Sequence, residues 1–305
     1  IESITTNQKG LATMTTKQRI AQLRELLKQG HKAPKMAEQC KMAPFDAVTW
    51  QAALILEGRR GVITRSQTKL DKAQSTETGY INRGLTLSSA FEAAEFIDEL
   101  KGYNACPGAT DACIVACVGS RTGQGALPSS KIARIGRTLA MWYDSERFNA
   151  LLDCEIASEA MRAAVFGVKL AFRFNVATDH WQLANECAER HPNVTFYDYS
   201  AIPNAVRSNG KVRRVYSRKD GKARHKQALA MLNAGYGVAV VFDVDARTKA
   251  PLPKTWQGVP VIDGDTNDLW FLRAPKTGAF VVGLRVKGTK KQKQNSVELG
   301  FAVAV

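Results

Sequence analysis

Val168-Lys169-Leu170-Ala171-Phe172-Arg173-Phe174, a helical stretch at 181–190, and then Val194-Thr195-Phe196-Tyr197-Asp198-Tyr199 set the fold class. The two short apolar runs have strand length, and the helix between them is long enough for a crossover, so the pair reads as a βαβ unit with parallel strands. The pattern continues outward. A helix at 223–234 precedes Gly237-Val238-Ala239-Val240-Val241-Phe242-Asp243, and two further strand-like runs follow, Val259-Pro260-Val261-Ile262 and Ala279-Phe280-Val281-Val282-Gly283-Leu284. Upstream, helical periodicity covers 88–100, 129–143 and 145–166. The expectation is an α/β domain over 85–305 with a parallel sheet, open or closed into a partial barrel.

Before residue 84 the pattern is helical. Residues 1–14 are polar and read as a flexible arm. Thr15 or Thr16 can cap a helix to about Gln29, a short helix follows Pro34, and a third runs from Phe45 to about Glu57. Gly58-Arg59-Arg60-Gly61-Val62-Ile63-Thr64-Arg65 then reads as a short strand, and 66–84 as a wing tip or linker. This order resembles a winged helix-turn-helix over about 15–66, with a domain boundary near 84. In that register the third helix turns Asp46, Thr49, Trp50 and Ala53 outward, so Thr49 and Trp50 are candidate base contacts. Arg59, Arg60 and Arg65 are candidate phosphate contacts. A small helical bundle packed on its own larger domain is the alternative.

The 305 residues carry a formal charge of +15, which favours an anionic partner. The excess is local: 14 Lys/Arg against 7 Asp/Glu in 1–84, 9 against 1 in 207–226, and 5 against 1 in 285–298. Basic clusters on a near-neutral scaffold suit nucleic acid, expected to be DNA. Arg213, Arg214, Arg218 and Lys219 fall in the second cluster, expected as a surface loop that touches the nucleic-acid backbone. No apolar stretch reaches membrane-spanning length and no secretory signal is visible, so the expected location is cytoplasmic.

Six cysteines are present, and three of them cluster as Cys106, Cys113 and Cys117 in Cys106-Pro107-Gly108-Ala109-Thr110-Asp111-Ala112-Cys113-Ile114-Val115-Ala116-Cys117. Thiolates are soft ligands for zinc, copper(I) and iron–sulfur clusters. Structural zinc usually takes a fourth Cys or His nearby, and the nearest histidine in sequence is His180. The trio therefore favours a 4Fe-4S cluster with one iron free of cysteine, able to hold a small ligand such as S-adenosylmethionine, with zinc as the alternative. A disulfide or inert core thiols are the plain readings; Cys154 and Cys187 lie in helical patterns and read as buried small hydrophobes.

The cysteine run, together with Pro253 through Asp268 and Val281 through Gly288, resembles the gene-product-eighty-eight-like domain of bacteriophages over about 85–290, itself similar to a radical-S-adenosylmethionine barrel. The resemblance implies an iron–sulfur cluster and a phage origin, hence a host-cell cytoplasm, without a defined reaction. Val118 follows the third cysteine where the commonest motif has Tyr. Polar residues at strand ends are where parallel α/β sheets place ligands. Arg173, Asn175, Asp198, Asp263 and Asp265 are accordingly candidate cofactor-binding residues, with Asp179, Ser200, Asp243, Asp245, Asp268, Arg285 and Lys287 nearby in the pattern. Three functions follow in order: a DNA-binding iron–sulfur protein with a structural or redox-sensing cluster, a radical-S-adenosylmethionine-like enzyme acting on nucleic acid or nucleotide, and a zinc-stabilised structural protein of a phage particle.

Overall fold

In the computed structural model, which describes residues 14–65, 70, 77–208, 210–248 and 250–305, alternating strands and helices build one nine-stranded sheet. The expected arm at 1–14, Met14 excepted, and most of the expected wing tip lie outside the described residues. The strands are β1 (Tyr80–Gly84), β2 (Lys169–Arg173), β3 (Thr195–Ser200), β4 (Val212–Ser217), β5 (Gly237–Asp245), β6 (Thr255–Trp256), β7 (Val259–Asp263), β8 (Phe280–Val286) and β9 (Ala302–Val303). Their order is β1-β2-β3-β4-β5-β8-β7-β6, with β9 beside β5. All pairings are parallel except β6 with β7. The first five strands follow chain order without reversal, so their carboxyl ends and following loops gather along one edge.

The helices are α1 (Thr16–Lys28), α2 (Met36–Gln39), α3 (Pro44–Leu56), α4 (Asp111–Val115), α5 (Pro128–Tyr143), α6 (Ser145–Val165), α7 (Trp181–Arg190), α8 (Pro203–Arg207), α9 (Lys222–Asn233) and α10 (Lys290–Glu298). Alternation along the strands sorts side chains to two faces. Leu170, Phe172, Phe196 and Val212 pack with α5, α6 and α7, whereas Ala171, Tyr197, Val215, Ala239 and Val282 pack under Leu269 and Trp270. Helix is expected at 88–100, but only 3-10 turns at Glu92–Glu95 and Asp98–Leu100 form. Ala90, at φ 41°, breaks the helical path at the start of that segment.

Besides the two-residue β6 and β9, two strands fall outside the runs expected from sequence. β1 lies where the linker is expected, and β4 lies inside the basic run, its Val212 and Val215 interrupted by Arg213 and Arg214. β4 is central rather than a surface loop. Arg214 is buried and donates to the Ala205 and Trp181 carbonyls, and Arg218 donates to the Gly300 and Phe301 carbonyls. Of the four basic residues assigned there to nucleic acid, Arg213 is the exposed one, and its guanidinium lies 5.0 Å from the Phe271 ring.

The three N-terminal helices form as expected, with Thr15 capping α1 in a capping box. Their packing differs from the winged-helix expectation. α3 is buried against α1 on one side and α5 on the other, and Ala47, Val48, Thr49 and 51–56 are all buried. Thr49 has no exposed surface and donates to the Phe45 and Asp46 carbonyls. Trp50 packs with Leu23, Leu27, Ala53 and Leu54, and Asp46 pairs with Arg19 at 3.1 Å. A helix covered in this way cannot enter a DNA groove. Arg59 donates to the Leu27 carbonyl, and Arg65 pairs with Glu155 and Glu159; Arg60 stays exposed. Ile20, Val48 and Ile55 share one apolar cluster with Phe148, Ile156 and Phe172, so the core runs continuously across the boundary expected near 84.

Candidate metal centre

The cysteine loop follows β1 and sits over the carboxyl edge of the sheet. Its local folding follows from sequence. Asn104 accepts from the Cys106 amide (2.9 Å), and Thr110 caps α4 by accepting from the Cys113 amide (3.3 Å). Thr110 also donates to Asp220, just beyond β4. Glycine permits the close seat: a Cβ on Gly108 would lie 2.7 Å from Ala201 after β3, and one on Gly119 would lie 2.5 Å from Ala177 after β2. The loop therefore rests directly on the exits of two strands.

Cys106, Cys113 and Cys117 converge on a cavity of about 180 Å³ that is also lined by Ser89, Ala90, Glu92, Glu95, Ser120 and Arg121. Neither a histidine nor a fourth cysteine is in that lining. The Ala90 amide points at the Cys106 sulfur (3.4 Å), a contact made possible by the left-handed backbone at Ala90. Burial pushes the Cys106 thiol up to about 12 against the pull of that amide, and the neighbouring Cys117 and Cys113 add to the rise. A bound cation would favour the deprotonated form of sulfurs that ligate it. Among the described residues, one trio of Cys, His, Asp or Glu brings its ligand atoms within 4.8 Å of one another, and it is not this one. The three sulfurs are thus spread more widely than the roughly 3.8 Å between thiolates sharing a single tetrahedral zinc. Donor type and convergence on one cavity make the three cysteines a candidate soft-metal site.

Lys219, expected at a nucleic-acid backbone, instead reaches this site. Burial works to lower its ammonium, but Cys113, Asp179 and Cys106 outweigh it and hold the charge above its ordinary range. Asp179 accepts from Ser200 (2.7 Å) and from the Ala201 amide, and burial raises its carboxyl. Glu92, at the cavity wall, is gripped by Arg134, whose Nε lies 2.6 Å away and which also donates to the Gly125 carbonyl. Sequence reading did not single out Ala90, Glu92 or Arg134; each acts through a contact 9 or more residues distant in the chain, and no local pattern marks it.

The five strand-end residues expected to bind a cofactor form two groups. Asn175 donates to Asp198 (2.5 Å), and Arg173 binds Asp268 (2.9 Å) with its Nε 4.0 Å from Asp198. Burial lifts the Asp198 carboxyl to about 7, against the pull of Arg173 and Arg214. Asp263 and Asp265 stand apart from these, paired with Arg285 (2.9 and 3.5 Å), and Asp265 also with Lys287 (2.6 Å). Both groups lie at the carboxyl edge. Asp243 and Asp245 are at the end of β5, where Asp245 pairs with Lys293.

A parallel α/β protein that carries a three-cysteine loop at the carboxyl edge of its sheet is the class that this architecture defines. The model of the family described as Gene product 88 matches residues 61–299, and the chain belongs to that family. The match begins within the segment expected as a wing. No curated protein and no solved structure matches the chain. Among the described residues, no helix is long and apolar enough to cross a membrane.

Proposed function

We propose that Cys106, Cys113 and Cys117 hold a 4Fe-4S cluster with one iron free of protein sulfur, and that the chain is a cluster-dependent enzyme resembling the radical-S-adenosylmethionine proteins. The observation that carries this reading is the convergence of three cysteines, with no fourth sulfur or imidazole in the cavity lining, on the carboxyl edge of a sheet whose first five strands run in chain order. Parallel barrels place their chemistry at that edge, because the loops there come from several strands at once. A partial barrel with its interior facing Leu269 and Trp270 is the shape that this topology suits. When bound, such a cluster supplies one-electron chemistry and an iron position for a small ligand. The chain's own groups supply the rest: Ala90 directs an amide at the Cys106 sulfur, Lys219 offsets negative charge beside Cys113, and Arg173 with Asp198 lies at the adjoining strand ends.

Anaerobic reconstitution, followed by iron, sulfide and zinc analysis, tests the cluster. About four irons and four sulfides per chain support it, whereas one zinc and no iron overturn it in favour of a zinc-stabilised protein. Cleavage of S-adenosylmethionine on reduction then separates an enzyme from a cluster of structural or redox-sensing role. A nucleic-acid partner remains part of the proposal on charge alone, with Arg60, Arg213, Lys222, Lys226, Lys290 and Lys291 exposed. Salt-dependent binding of duplex DNA, weakened by reversing those charges and unchanged by Thr49→Ser, is the expected result.

A further inference from the structure

The trio whose ligand atoms do fall within 4.8 Å of one another is Asp153, Cys187 and His191, on the helix-covered face of the sheet. We propose that these three residues form a second metal site, for a single divalent ion of the zinc class, that ties α6 to the end of α7. It is independent of the cluster reading.

Cys187 and His191 are four residues apart at the carboxyl end of α7, so they project from one side of it. Asp153 comes from α6 and places an oxygen 2.8 Å from His191 Nε2. A sulfur, an imidazole nitrogen and a carboxylate oxygen make a borderline donor set that suits zinc. Tetrahedral zinc holds such atoms roughly 3.3–3.8 Å apart, inside the span that these three already share. The outer contacts also fit. Arg190 grips both Asp153 oxygens, Nε to one at 2.7 Å and a terminal nitrogen to the other at 3.1 Å, and that other oxygen also faces His191 at 2.8 Å. That is how second-layer partners orient metal-binding carboxylates. Cys187, with no exposed surface, packs in the apolar cluster beneath α6 and α7 and supplies the soft donor of the set.

Cobalt(II) titration of the chelator-stripped full chain tests the site, because a thiolate ligand gives a sulfur-to-cobalt charge-transfer band and tetrahedral coordination gives intense visible bands. In a Cys106→Ser/Cys113→Ser/Cys117→Ser background, which removes the other thiolates that would take cobalt, one equivalent should bind with both features. Cys187→Ala should abolish the charge-transfer band. His191→Gln changes only a side chain near the surface and serves where Cys187→Ala fails to fold; it should weaken binding and the visible bands. Arg190→Met should weaken cobalt binding 10–100-fold. The proposal is overturned if that background shows no such band, or if the band survives when Cys187→Ala is added to it. Loss of iron in reconstitution with this cobalt signal intact would sink only the cluster reading.

Discussion

Replacing Glu92 by Gln should destabilise the chain by about 3–5 kcal/mol, the usual cost of breaking a buried ion pair. Arg134 is 1 % exposed and Glu92 5 %, so the guanidinium that remains has no route to water. In the native chain both Arg134 Nε and a terminal nitrogen donate to Glu92, and the other terminal nitrogen donates to the Gly125 carbonyl. A glutamine keeps one acceptor, removes the compensating charge and turns an amide donor toward the arginine. Unfolding entropies of about 2.1 cal/mol/K per residue give roughly 640 cal/mol/K for a chain of this length, so the melting temperature should fall by roughly 5–8 °C. Differential scanning calorimetry of the metal-free chain measures it. Lys101→Met is the control: it removes an exposed pair with Asp98 in the same segment and should cost under about 0.5 kcal/mol. Glu92→Leu with Arg134→Met, which removes both charges, should recover most of the loss. A Glu92→Gln melting temperature within about 1 °C of native would refute the reasoning, since the pair would then contribute nothing despite its burial.

Serine at Cys106, Cys113 or Cys117 should each remove most of the iron taken up in reconstitution, while Cys154→Ser, at an exposed position, should leave it unchanged; metal analysis decides. Asp198 gives a pH test. Its folded carboxyl titrates near 7 and its unfolded one near 4, so its protonated form is favoured by folding and the associated stability is lost as pH rises from about 4 through 7. Asp198→Asn should therefore gain on the native chain in urea midpoint from pH 4 to pH 8, and a constant difference between the two would contradict this. Gly136→Ala should cost about 1–3 kcal/mol by thermal melt, because the added Cβ would lie 2.3 Å from Gln51 Cβ where α5 crosses α3. An unchanged melting temperature would mean the two helices separate without penalty.

Much of the architecture was legible in the chain because it rests on local pattern. The apolar runs at 168–174, 194–199, 237–243, 259–262 and 279–284 contain or overlap β2, β3, β5, β7 and β8, and the helices between them form within a residue or two of their expected bounds. β4 was not legible, because Arg213 and Arg214 look like surface charge until one sees the carbonyls that receive Arg214. The same holds for α3, whose helical period is plain but whose outward face could be assigned only once α5 was known to cover it.

The three cysteines illustrate the division. Their spacing and the soft chemistry of sulfur were readable from sequence alone, as was the absence of a nearby histidine in the chain. Their convergence on one cavity, the turn of Ala90 toward Cys106, and the arrival of Lys219 beside Cys113 were decided by tertiary structure. Periodicity and propensity act over a few residues and so leave a mark in sequence. The charge partners of a buried group come from distant strands, and only the packed sheet brings them within reach.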